Sequence, residues 1–228
     1  MRLIIEKSAQ NLGLMGAVAC KVSDITVQTE HNGALDDDIR DLISELELTE
    51  GNLSKPEVHG FRDLFSRLGY PAITPAGERL VNGFVKNGFK RFNNIVDAYN
   101  IVSANYTCGL GMHDLGCIHD DVTVKRARGG ETVVPMFKSS PVVVRPGDLI
   151  YTTDNKILAW LGYKDVDSDD YKVTSSTTSL LLVALGNERT DAKHNKAVCD
   201  AVVTAIRKTC PSAGAVFLDT CLARGCRT

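Results

Sequence analysis

Three segments with apolar residues at helical spacing follow one another between residues 54 and 103, and from residue 121 the spacing becomes that of strands. That order of elements, helices mainly early and strands mainly late, is the pattern of an α+β domain. Ser54-Lys55-Pro56-Glu57 reads as a helix start, with Ser54 as cap and Pro56 in the first turn. Its apolar face is Val58, Phe61, Leu64, Phe65 and Leu68, and Gly69 stops it. Thr74-Pro75 repeats the signal for a helix ending at Gly88, and a third helix runs from about Asn94 to Ser103. Ahead of these, Leu3-Ile4-Ile5 and Val22 to Gln28 read as strands, and Asp36-Asp37-Asp38 opens an acidic helix. Strands are expected at Val122, Val142–Val144, Leu149–Tyr151, Ile157–Trp160 and Ser179–Leu185. A last helix starts near Asp191, and a strand from Gly214 to Leu218 precedes a polar tail.

The 228 residues are 43% hydrophobic, enough for a core, and the formal net charge is −2. That balance excludes a generally basic nucleic-acid coat and confines any RNA contact to a local patch. No apolar run approaches the ~18–20 residues of a membrane span. The opening Met1-Arg2-Leu3-Ile4-Ile5-Glu6 does not read as a secretion signal, and the expected location is cytoplasmic. Seven cysteines (20, 108, 117, 199, 210, 221 and 226) form no CxxC pair. Cys210, Cys221 and Cys226 with His194 match no usual zinc spacing, so free thiols are expected and no metal.

Local motifs for chemistry are sparse. Gly109-Leu110-Gly111-Met112 is half a dinucleotide fingerprint without its third glycine. Neither GxSxG nor GxxxxGK[ST] occurs. His113-Asp114 and His119-Asp120-Asp121 are the densest titratable cluster, where a neutral His beside carboxylates is a candidate base. Asp165, Asp167, Asp169 and Asp170 fail as a calcium loop, with no Gly at the sixth position and no Glu at the twelfth.

One longer pattern is more specific. Asn93-Asn94-Ile95-Val96-Asp97-Ala98-Tyr99-Asn100 leads into Gly109-Leu110-Gly111-Met112-His113-Asp114-Leu115. Val122 to Ala127, Gly130-Glu131 and Pro146-Gly147-Asp148 through Asp154 follow. The order and spacing resemble the B3/B4 domain of the bacterial phenylalanyl-tRNA synthetase beta subunit, and still more its free-standing relatives. The resemblance covers about residues 56–185 within one domain of 1–228; residues 1–55 and 186–228 match less well.

The resemblance implies a three-layer B3/B4-type α+β domain containing an unusual β-sandwich. In the synthetase that domain hydrolyses tyrosine wrongly attached to the phenylalanine tRNA. Carried over by position, Asn100 keeps the family's Asn, and Tyr99 replaces a small hydroxyl residue before it. Gly111 stands where the family has a pocket His, with His113 two residues on. The turn from Trp160 to Asp167 lacks the family's Glu, and Thr177 matches a strand-opening Thr. Asn100, His113 and Asp167 are therefore the candidate catalytic residues, with Tyr99, Gly111, Asp114, Trp160 and Thr177 as substrate contacts. Arg62, Arg67, Lys90, Arg91, Lys125 and Arg126 are the candidate phosphate contacts in a locally basic region. The implied partner is the acceptor end of a tRNA, with no cofactor, DNA or membrane expected. Three readings stay open: a deacylase acting in trans, a non-catalytic RNA-binding module, and a binder of a free amino acid or related metabolite.

Overall fold

The computed structural model describes residues 1–49 and 53–223. The α-helices among these residues are α1 (Lys7–Gln10), α2 (Asp36–Leu48), α3 (Pro56–Arg67), α4 (Ala76–Asn87), α5 (Asn94–Asn105) and α6 (Ala192–Arg207). The strands are β1 (Leu3–Ile5), β2 (Val18–Ser23), β3 (Gly111–Asp114), β4 (Val122–Arg126), β5 (Thr132–Val133) and β6 (Val142–Val143). They continue with β7 (Leu149–Thr153), β8 (Lys156–Leu161), β9 (Asp165–Asp167), β10 (Leu180–Ala184), β11 (Gly214–Phe217) and β12 (Thr220–Leu222). One sheet runs β12-β1-β4-β7-β8-β9, a second β11-β2-β10-β3, and β5 with β6 form a short ribbon. Among the described residues only β1 pairs in parallel, with β12 and β4; the other ladders are antiparallel. The architecture is α+β.

The helix ends follow local chemistry. The Asn93 side chain accepts from the amides of Ile95 (3.1 Å) and Val96 (2.8 Å) and opens α5. Asp191 accepts from His194 N (2.7 Å) and opens α6. Gly88 closes α4 in the left-handed region at φ 72°, which a glycine enters without strain. Two starts differ from expectation. Ser54 does not cap α3; Lys55 holds that position without a side-chain bond to the helix amides, and Pro56, with no N–H to satisfy, opens the helix. Thr74 does not cap α4 either. Its first amide, on Ala76, donates to Asp165 Oδ2 at 2.6 Å, so the cap arrives from β9.

Two strand expectations also change. β2 ends at Ser23, where Asp24 turns the chain at φ 58°, so Val22–Gln28 is not a strand. The tail beyond Leu218 supplies β12, which pairs with β1.

The helix α5 is buried on nearly every side because it lies against α6, α4 and α2. The helix α6 in turn lies on β2 and β10. The large core contains Leu3, Phe61, Ile95, Leu158, Leu182 and Val202. A smaller cluster, Ile150, Ile157, Trp160, Val133 and Val144, packs on the opposite face of β7 and β8. Strand alternation makes that division: Ile150 and Trp160 pair in register and point away from Tyr151 and Ala159. Among the described residues no helix is long and apolar enough to cross a membrane.

Candidate functional site

A cavity of about 130 Å³ opens where the two sheets meet α3, α4 and α5. An engineered cavity of ~150 Å³ holds a benzene ring, so this one takes a side chain of about ring size or smaller. Phe61 and Phe65 of α3, Leu161 of β8, Val183 of β10 and Leu185 just beyond it make the apolar walls. The backbone from Gly109 to Gly111 forms another wall. Four polar side chains enter the lining: Tyr99, Tyr151, Asp165 and Asp167.

Gly111 decides how that wall is built. A Cβ placed there would lie 1.9 Å from Tyr151 Oη and 2.9 Å from His113 Nε2. The missing side chain is the space into which the Tyr151 hydroxyl fits. That hydroxyl lies 3.0 Å from His113 Nε2 and also hydrogen-bonds Asp167. His113 is fully buried on β3, its Nδ1 has no partner, and burial lowers its pKa to about 3, so the ring is neutral. The Tyr99 hydroxyl donates to the Leu110 carbonyl, which ties α5 to the glycine-rich wall.

Asp165 and Asp167 stand two residues apart on β9, opposite Leu161 and Ala159, and so reach the same face. Asp165 receives Ala76 N at 2.6 Å and Arg79 Nη1 at 3.3 Å. Burial nevertheless raises its pKa above the ordinary carboxylate value. Asp167 has no such cation. Burial first, and the Asp165 charge second, raise its pKa to about 8, against bonds from the Met112 amide and Tyr151 that favour the charged form. At neutral pH this carboxyl is therefore mostly protonated.

The expected site residues divide sharply. Tyr99, Gly111 and Asp167 line the cavity, and His113 stands behind Tyr151. Asn100 is buried on α5 next to Tyr99 but outside the lining. Asp114 follows His113 on β3, with its Oδ2 accepting the Thr177 hydroxyl at 2.6 Å away from the cavity. Trp160 is fully buried on the far face of β8, where its Nε1 donates to Asp148 Oδ2 at 2.6 Å.

The basic residues are mostly spoken for. Arg62 makes a two-pronged bond to Glu78 (2.9 and 2.7 Å), Arg67 pairs with Glu188, and Arg91 pairs with Asp36. Arg126 Nε donates to the Gly147 carbonyl at 2.6 Å. Lys90 is exposed, 5.1 Å above the Phe92 ring, and Lys125 is half-buried on β4. Among the described residues no group of His, Cys, Asp and Glu is placed to hold a metal. Cys210 is buried against Thr26, and Cys226 lies outside the described residues.

Sequence reasoning did not single out Asp165, Tyr151, Phe61 or Phe65 for the site. Asp165 was legible through the period of two that puts it beside Asp167. Tyr151, in a fully buried strand, carried a phenol that had to find a partner. Nothing local distinguishes Phe61 and Phe65 from ordinary core.

A family model described as the B3/4 domain matches residues 67–211. Among solved structures, the N-terminal fragment of the phenylalanyl-tRNA synthetase beta-subunit from Pyrococcus horikoshii is similar in fold, with a TM-score of 0.53 at 10% sequence identity. The alignment covers 97% of this chain and 52% of that one, so the chain spans about half the length of that fragment. No curated protein matches.

Proposed function

Because the chain belongs to the B3/4 domain family, whose model covers residues 67–211, we propose that its cavity receives the aminoacyl group at the acceptor end of a tRNA and hydrolyses the ester. The observation that carries this reading is the pairing of an apolar, ring-sized cavity with two carboxyls on one wall, Asp165 and Asp167. The apolar walls suit a side chain, and the carboxyls suit the α-ammonium beside it. Ester hydrolysis asks for an oriented water and a group to take its proton. Asp167 is such a group in its deprotonated form, and with its pKa raised to about 8 the rate is expected to climb as pH rises toward that value. Tyr151, held by His113, fixes the carboxyl's direction. Among the described residues no Ser, Cys or Lys lines the cavity, so the route that fits is direct attack by water. We place the reaction in the cytoplasm.

The test is deacylation of a panel of correctly and wrongly charged tRNAs by the purified protein. Release of one amino acid, lost in Asp167→Asn and largely kept in Asn100→Ala, is the expected result. A flat panel overturns the hydrolase. A second reading, a binder of a free amino acid or related metabolite, is favoured by the ion pairs that occupy Arg62, Arg67 and Arg91. A small ligand needs no basic surface.

A further inference from the structure

The strand β11 lies at one end of the sheet β11-β2-β10-β3 and, among the described residues, pairs on one side only, with β2. The Leu218 amide donates to the Ala19 carbonyl at 2.9 Å, which fixes the groups that turn inward. Backbone groups alternate along an antiparallel strand, so Val216 shares that inward phase and faces Lys21, its register partner. Ala215 and Phe217 therefore point their N–H and C=O outward. Among the described residues no hydrogen bond reaches these four groups. Edge strands ordinarily carry a charge, a proline or a bulge that keeps other chains off. Gly214-Ala215-Val216-Phe217-Leu218 has no charge and no Pro, and its register with β2 is unbroken. The Val216 side chain is 64% exposed.

We propose that β11 is the surface by which two copies of this chain associate, edge to edge and antiparallel, about a two-fold axis at Val216. In that register Ala215 of each copy faces Phe217 of the other, and the two exchange both backbone bonds. All four outward groups are then satisfied, and the sheet continues from one copy into the next. The two Val216 side chains stand opposite each other at the non-hydrogen-bonded position, where side chains come closest. Neighbouring registers fail this test. One sets Phe217 against Ala213, whose N–H and C=O are already bonded to the Cys210 carbonyl and to Arg207 Nε. The other sets Ala215 against Asp219, whose C=O already accepts the Leu3 amide at 2.9 Å. The charges agree with the axis at Val216. It places Asp219 of one copy opposite Ala213 of the other, beside the Arg207 that donates to Ala213 at 2.9 Å. Asp219 and Arg207 are both exposed, and among the described residues neither makes an ion pair. None of these residues lines the cavity, so the inference stands apart from the reading of that site.

The contact is short, so the dimer is weak, with a dissociation constant on the order of 10–100 µM. The experiment is sedimentation equilibrium of the full chain from about 5 to 500 µM, where a monomer–dimer equilibrium that stops at two copies is expected. Val216→Lys, with an unchanged melting profile, sets two cations face to face and should weaken association at least about tenfold. Asp219→Arg should weaken it about threefold or more, and adding Arg207→Asp should recover that loss. Hydrogen exchange reads the register. The amides of Ala215 and Phe217 gain protection as concentration rises, while that of Val216, already turned toward β2, changes least. A chain that stays monomeric to about 500 µM overturns the proposal. So does a dimer that Val216→Lys leaves intact, or one in which the Ala215 and Phe217 amides exchange as in the monomer. Growth past two copies, or a charge swap that recovers nothing, overturns it as well.

Discussion

The hydroxyl of Tyr151 occupies the space that a side chain at Gly111 would need, and it reaches His113 Nε2 at 3.0 Å through that gap. Three residues on two sheets are fixed by one absent methyl. Gly111→Ala is therefore expected to cost about 1–3 kcal/mol by overpacking. Chemical denaturation of the single variants and of Gly111→Ala with Tyr151→Phe checks it. Removing the hydroxyl should recover part of the loss, and a purely additive double variant would show that the two groups do not collide.

The buried ionisable groups shape the pH dependence of stability. His113 has a folded pKa of about 3 against 6.5 unfolded, so its contribution is lost as pH falls below 6.5. Asp167 has a folded pKa of about 8 against 3.8 unfolded, so its contribution is lost as pH rises toward 8. Between about pH 4 and 6.5 the two slopes oppose each other, and from 6.5 to 8 only the Asp167 slope remains. Asp167→Asn should remove the decline above pH 6.5 and expose a rise below it. Denaturant midpoints across pH 4–9 read this, and unchanged profiles would place the titration elsewhere.

Asp165 acts on both the fold and the site. Asp165→Ala removes the cap on Ala76 N and is expected to cost about 1 kcal/mol, with Asp165→Asn costing less because its carbonyl still accepts. Either change removes a like charge beside Asp167. Carbon-13 NMR of labelled aspartate should then show Asp167 titrating below the wild-type value of about 8. A titration that stays put would mean that burial alone sets it.

The ion pairs predict which basic residues answer to RNA. Arg62→Ala breaks the bond to Glu78 and should lower stability more than it lowers tRNA affinity. Lys90→Ala breaks no ion pair with a described residue and should weaken binding while reducing the salt slope by about 1. Affinity measured at several salt concentrations decides this, and an unchanged slope for Lys90→Ala would remove it from the interface.

Much of the fold was legible because it rests on local rules. The spacing of apolar residues located α2 through α6, Gly88 marked a helix end, and Asn93 and Asp191 stand at caps their side chains fill. The family could be read from motif order between residues 93 and 154, and the family model over 67–211 agrees with it. The lining of the candidate cavity was legible in part, since Tyr99, Gly111 and Asp167 reach it. Trp160 shows the limit. Next to Leu161 in sequence, it points to the opposite face of β8 and bonds Asp148, because alternation in a strand separates neighbours. Periodicity, caps and motif order act within a few residues, and the sequence by itself determined those. Tertiary structure alone decided that a β9 carboxylate caps α4, that Tyr151 fills the gap at Gly111, and that Asp165 crowds Asp167. Each depends on register between strands and on burial, which raise or lower a proton's affinity only once distant segments have closed around it.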